Sequence, residues 1–281
     1  MKFNNSKNAI LNVDTEVPYL TFPSLSEISF IRHGFSTRLG GVSKGCFETM
    51  NLGYLRGDNP EDVDENYNRI SRSIGLNRND LVISDQVHNT EIRLVTAEDK
   101  GKGIVRDRDY QGIDGLITNT VGVPLVTFYA DCVPLYFVDV KNHAIGLSHS
   151  GWRGTVKRMG KVTLQAMNQN FGTRPEDVLA VVGPSICQDC YEVSEDVAEA
   201  FSEEFTETQL QDILQDKGNG KFQLNLWEAN RNILLDNGMK RENIHLSQVC
   251  TCCNSDILFS HRASQGKRGT LAAFLMIESK V

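Results

Sequence analysis

The stretch "VPLYFVDVKNHAIGLSHSGWRGT", residues 133–155, holds two apolar runs, "VPLYFVDV" and "AIGLSHS", then a glycine-flanked turn and the start of a helical pattern. Near-continuous apolar runs of this length mark strands covered on both faces. The same character recurs in "DLVISDQVH" (80–88), "DGLIT" (114–118), "VPLVTFYA" (123–130), "VLAVVGP" (178–184) and "LAAFLMI" (271–277). Helical patterns lie between them: "VDENYNRISRSIGL" (63–76), "TVKRMGKVTLQAMNQNFG" (155–172), "SEDVAEAFSEEF" (194–205) and "LNLWEANRNILLDNG" (224–238). Two of these end at Gly172 and Gly238, where a left-handed C-cap fits. Strands outnumber helices and alternate with them irregularly. The expectation is one α/β domain, residues 1–281, with mixed β-sheets covered by helices. Residues 1–25 read as a polar N-terminal extension that adds one or two edge strands.

The 281 residues, 40% hydrophobic, suffice for a full core. A net charge of −7 gives no overall pull towards nucleic acid or an anionic membrane. The N-terminus lacks the apolar run of a signal peptide, and no stretch approaches the ~20 apolar residues that span a bilayer. Seven unevenly spaced cysteines without an export signal predict reduced thiols in a cytoplasmic protein. The charged segments 58–69 and 194–205 read as solvated helix faces.

The chemistry gathers where strands hand over to loops, the usual place for functional groups on a rigid scaffold. "DQVH" places His88 there, "YADCVPL" places Asp131 and Cys132, and "LSHSGWRGT" places His149. Singly, each has an ordinary structural reading: a hydrogen-bonded histidine, or a small core cysteine. As a scattered set, one from each of three loops, they suit a catalytic metal with an open fourth position better than a structural zinc, whose ligands come in close pairs. Six histidines without a His-x-His pair do not supply a multicopper centre. One metal per chain fits, zinc first and copper second. A rival site exists: from the five cysteines of "CQDC" (Cys187, Cys190) and "CTCC" (Cys250, Cys252, Cys253) a four-thiolate site could form.

Several motifs then occur in order: "FSTRLGGVSKGCFETMNLGYLRGDN", "DQVH", "DGLIT", "ADCVPLYFVD", "HSGWRGT", "VGPSICQDCYEV" and "FSHRASQGKRG". Over about residues 30–275 the chain resembles the YfiH family, also called laccase-domain or DUF152 proteins and once labelled polyphenol oxidases. The resemblance implies an α/β fold like that of the cytotoxic-necrotizing-factor catalytic domain. It implies a metal site at His88, Cys132 and His149, and purine nucleoside chemistry: phosphorolysis of adenosine, inosine and methylthioadenosine, and deamination of adenosine. The closing motif departs from the family's Ser-x-Arg-Arg and Thr-Gly-Arg; here it is "SHRASQGKRGT", with Arg262 retained.

The residues are compatible with those reactions. Phosphate suits a guanidinium, and Arg38 in "STRLGG" and Arg153 in "GWRG" sit in glycine-rich turns, Arg153 just before a helix start near Thr155. Trp152 suits core packing better than base stacking. Deamination needs an activated water and a proton carrier, either Asp131 or Asp114. Three alternatives stand beside this reading. One is a cysteine amidase acting on peptidoglycan precursors, with Cys132 as nucleophile and His149 as base. The second is a copper polyphenol oxidase, and the third a metal- or nucleotide-binding regulator without turnover. The expected partners are purine nucleosides and phosphate, with Zn2+ or Cu2+ as cofactor.

Overall fold

The structure, a computed structural model, describes residues 2–278. Along the chain, β1 (Ile10–Asn12) and β2 (Tyr19–Thr21) precede helix α1 (Pro23–Ser26), β3 (Ile31–Ser36) and α2 (Pro60–Ile74). A strand-rich middle follows: β4 (Val82–Ile83), β5 (Ile92–Leu94), β6 (Gly115–Thr118), β7 (Leu125–Tyr129), β8 (Val133–Asp139) and β9 (Ala144–Ser150). Then come α3 (Trp152–Val156), α4 (Met159–Phe171), β10 (Val178–Val182), β11 (Glu192–Ser194), α5 (Glu195–Glu204) and α6 (Glu207–Ile213). The chain closes with β12 (Leu214–Gly218), β13 (Lys221–Leu224), α7 (Leu226–Asp236), β14 (Ile244–Leu246) and β15 (Leu271–Ile277).

Two six-stranded mixed sheets carry the fold, ordered β1-β2-β3-β15-β7-β4 and β14-β10-β8-β9-β6-β5; β11-β13-β12 form a small third sheet. The apolar strands are covered on both sides, and their alternation shows it. Tyr136 and Val138 of β8 join Leu271, Ala273 and Leu275 of β15 in a core between the two large sheets. Their neighbours Leu135 and Phe137 face a second core with Leu164, Phe201 and Ile233 from α4, α5 and α7. Ala272 and Phe274 face a third with Val63, Tyr67, Ile70 and Ile74 of α2. The single α/β domain is therefore layered helix, sheet, sheet, helices. No helix among the described residues is long and apolar enough to cross a membrane.

Local rules set the helix ends. For α2, Asn59 accepts from the Glu61 N–H, Pro60 opens the first turn, and Gly75 closes the helix at φ 80°. The pattern 155–172 forms two helices rather than one. Arg158 adopts φ 58° between α3 and α4, held by ion pairs to Glu204 (3.4 Å) and Asp236 (3.3 Å). The long-range ion pairs sit at this break, and Gly160, two residues on, is the one weak local breaker in the interior of the pattern. The β12–β13 hairpin was not legible from apolar runs; its signal is the Asn219-Gly220 turn, with both residues at positive φ.

Candidate active site

Strand register brings together residues far apart in sequence. β8 and β9 pair antiparallel with Pro134 opposite His149 and Val133 opposite Ser150, so Cys132, just before β8, lies beside the end of β9. β6 pairs with β9 with Gly115 opposite Ser148, which sets Asp114 beside His149. The His149 N–H donates to the Asp114 carbonyl at 2.8 Å. His88 arrives from a loop rather than a strand end, because β4 stops at Ile83. An isolated bridge between Asp85 and Ile113 carries that loop to the site.

One ligand atom each from His88, Cys132 and His149 lies within 4.8 Å of the others. Cys132 Sγ is 3.9 Å from His88 Nε2, and the two imidazole rings are edge to face with centroids 4.8 Å apart. Asp114, fully buried, organises the set. Its carboxylate accepts the backbone N–H groups of Val87, His88 and Asn89, each at 3.0 Å, and takes His149 Nδ1 at 2.9 Å. The three N–H bonds hold His88 at φ 63°, a left-handed conformation that histidine adopts rarely. With Nδ1 engaged, His149 turns its Nε2 lone pair towards the cluster. Gly151 completes the fit: a Cβ there would come within 2.9 Å of Cys132 Sγ and 3.3 Å of His88 Cδ2.

The electrostatics follow from this crowding. Burial opposes the Cys132 thiolate, but the charge and hydrogen bonds of His149 and His88 pull the thiol down to about 6. Burial opposes the His149 imidazolium too, yet Cys132 and Asp114 push it up to about 9. Burial works against the Asp114 carboxylate, while His149 and the N–H groups of Asn89 and Val87 hold it below the usual range. Without metal these shifts favour a Cys132 thiolate paired with the His149 imidazolium; an ion that displaced the His149 proton would meet one thiolate and two imidazole nitrogens, a donor set that suits zinc or copper.

The trio opens onto a cavity of about 1340 Å³, also lined by Arg56, Arg108, Tyr110 and Arg268. Arg268 is 8% exposed, and its Nε has no hydrogen-bond partner among the described residues. Burial, and next the like charge of Arg56, bring its guanidinium down to about 10. Sequence reading passed over Arg268; its signal was the "KRGT" departure from the family motif.

The other expected residues do not line this cavity. Asp131 is half-buried and accepts the Thr251 hydroxyl at 2.6 Å and the Arg262 N–H at 2.9 Å. Arg153 is exposed, stacked 4.3 Å over the half-buried Trp152 ring, which packs against the helix-side core. The helix starts at Trp152, so Arg153 stands in its first turn rather than before it. Arg38 is not among the cavity-lining residues: it donates to the Glu48 and Ser255 carbonyls and covers Phe259. Cys187, Cys190, Cys250 and Cys253 form a second cluster, with Cys252 outside it.

The family described as multi-copper polyphenol oxidoreductase laccase matches residues 32–278. The purine nucleoside phosphorylase YlmD of Bacillus subtilis (strain 168) is 36% identical over 246 residues, 86% of this chain and 87% of that protein. Adenosine deaminase RL5, from an unknown prokaryotic organism, is 33% identical over 231 residues, covering 81% of this chain and 87% of its own. The crystal structure of YlmD from Geobacillus stearothermophilus superposes with a TM-score of 0.90 at 31% identity, covering 96% of this chain and all of that one.

Proposed function

We propose that this chain, which belongs to the YfiH/DUF152 family of multi-copper polyphenol oxidoreductase laccase proteins, is a metal-dependent purine nucleoside enzyme. It phosphorolyses adenosine, inosine and methylthioadenosine and deaminates adenosine. One observation carries this reading: His88, Cys132 and His149 converge at a cavity whose walls hold the buried guanidinium of Arg268. Its relatives' names, phosphorylase and deaminase, support it.

His88, Cys132 and His149 would hold zinc, with copper second. Three protein ligands leave such an ion a fourth position, where it supplies Lewis acidity and activates water near neutral pH. Asp114 is a positioning residue: its carboxylate is committed to His149 and the 87–89 backbone. Arg268, with Arg56, binds phosphate; Arg153, outside the cavity lining, is assigned as a further anion contact. Arg38 acts, on this reading, through the Glu48 and Ser255 carbonyls it holds. Phosphorolysis then forms a bond from a phosphate oxygen to C1′ as the bond to N9 breaks, and the departing purine takes a proton. That proton comes from the attacking dihydrogen phosphate, and Asp131 is the assigned carrier: each of its oxygens keeps a lone pair beyond its one hydrogen bond, free to take the proton from phosphate and pass it to the purine. The seven free cysteines support a reducing, cytoplasmic setting.

Chromatography of products from adenosine, with and without phosphate and beside Cys132→Ala, tests the reading. Adenine plus ribose 1-phosphate, dependent on phosphate and on Cys132, is expected, together with inosine. If neither product forms from metal-loaded protein, the nucleoside reading is wrong.

A second reading has its own observation. Cys132, His149 and Asp114 also stand in the order nucleophile, base and orienting carboxylate. A cysteine amidase would work without metal, so chelation separates the two: it abolishes the nucleoside activities and spares an amidase.

A further inference from the structure

Two C-x2-C pairs meet on the loops that hydrogen-bond Asp131. Cys187 precedes and Cys190 ends the short turn Gln188–Cys190, and Cys250 precedes and Cys253 lies within the turn that follows β14. The pairs are about 60 residues apart in sequence, yet their four Sγ atoms lie within 4.8 Å of one another. Cys253 Sγ is 3.5 Å from Cys190 Sγ and 3.8 Å from Cys187 Sγ. Four sulfurs around one zinc ion, at ~2.3 Å from it, stand about 3.8 Å apart. A disulfide needs ~2.05 Å, and a polynuclear iron–sulfur cluster spreads its thiolates around several metal atoms.

The backbone adds an independent sign. Cys250 Sγ accepts the N–H groups of Cys187 and Cys253, each at 3.3 Å. A neutral thiol is a weak acceptor; two converging backbone donors suit a thiolate. Cys252 packs against the helix-side core and hydrogen-bonds Cys190, but its sulfur lies outside the four-sulfur set, to which "CTCC" contributes its first and third cysteines.

We propose that Cys187, Cys190, Cys250 and Cys253 form a structural site for one zinc ion, closed by four thiolates. Binding exchanges four thiol protons for the ion and releases them to solvent. The site has no open position, so it takes no substrate. Its role is to clamp two loops that bear on Asp131. Ile186 donates its N–H to the Asp131 carbonyl at 3.1 Å, and Thr251 donates its hydroxyl to the Asp131 carboxylate at 2.6 Å. Arg262, whose N–H also reaches Asp131, donates its guanidinium to the Cys190 carbonyl at 3.0 Å. The clamp therefore ties residues 186, 251 and 262 to Asp131, with residue 190 joined through Arg262.

The test uses the full chain carrying Cys132→Ala, which disables the first centre and makes the result independent of the nucleoside reading. Elemental analysis should find one zinc per chain, and zinc-edge X-ray absorption should show four sulfur neighbours at ~2.3 Å and no nitrogen. Adding Cys253→Ser should remove that zinc and lower the unfolding midpoint. If the double variant does not fold, absorption on Cys132→Ala alone decides. Absence of zinc, nitrogen or oxygen neighbours, iron in its place, or a non-reduced mass short by two hydrogens would each overturn the proposal.

Discussion

His149 Nδ1 lies 2.9 Å from Asp114 Oδ1, and both side chains are buried, at 3% and 0% exposure. The same carboxylate accepts three N–H groups from the loop that carries His88. One acid thus orients two of the three proposed ligands. Asp114→Asn replaces an acceptor with a donor at this junction. It should weaken zinc binding by about 10- to 100-fold, the usual effect of losing a carboxylate behind a ligating histidine. A competitive chelator titration measures this; unchanged affinity would mean that Asp114 serves folding only.

Gly151 has φ −71° and ψ 178°, a conformation open to alanine. The obstacle to a side chain is Cys132 Sγ, 2.9 Å from the would-be Cβ. Gly151→Ala should therefore cost the nucleoside activities at least about tenfold, in keeping with the sensitivity of catalytic geometry to small displacements, while the unfolding midpoint moves little. Full activity in the variant would show that the turn is not held against the cysteine.

Cys132 is pulled down to about 6 by its histidines. In metal-stripped protein it is a thiolate above that pH and a thiol below it. Alkylation by iodoacetamide should thus be fast at pH 7 and slow as pH falls through about 6. Added zinc should suppress it at every pH, because a ligated thiolate is a poor free nucleophile. Peptide mapping identifies the modified residue, and unprotected alkylation with zinc present would favour the amidase reading.

Arg268→Gln removes the buried guanidinium while keeping a polar side chain. Losing a charge-assisted hydrogen bond to phosphate costs about 1.5–3 kcal/mol, so the KM for phosphate should rise by about 10- to 100-fold. Adenosine deamination, which uses no phosphate, should change far less. Equal loss of both activities would place Arg268 in the scaffold instead.

His33 is buried and accepts the Phe22 N–H on Nε2 at 2.8 Å. Burial brings it from 6.5 down to about 4. Between those values the unfolded chain binds a proton that the folded chain refuses, so stability falls as pH drops below 6.5 and continues to fall until about 4. At pH 5 the loss is about 2 kcal/mol. Urea unfolding of His33→Gln should show a pH 7 to pH 5 decline smaller than that of the natural chain by this amount. An identical decline would assign the acid sensitivity to other groups.

Strand and helix identity was written locally in this sequence. A run such as "LAAFLMI" is β15 to the residue, Leu271–Ile277, because both its faces meet apolar cores and no polar position interrupts it. The apolar runs also located Cys132 just before a strand, whereas His149, expected in the loop after one, lies inside β9, one residue from its end; the two C-x2-C pairs were visible as pairs. What the sequence could not decide was convergence. Asp114 as the carboxylate behind His149, the closure of 187–190 on 250–253, and Arg268 rather than Arg38 at the cavity all depend on pairing between distant segments. Apolar periodicity reports which faces are covered. It carries no information on which strand lies alongside, and a strand's neighbour and register, as in the Pro134–His149 pairing of β8 with β9, decide which side chains meet.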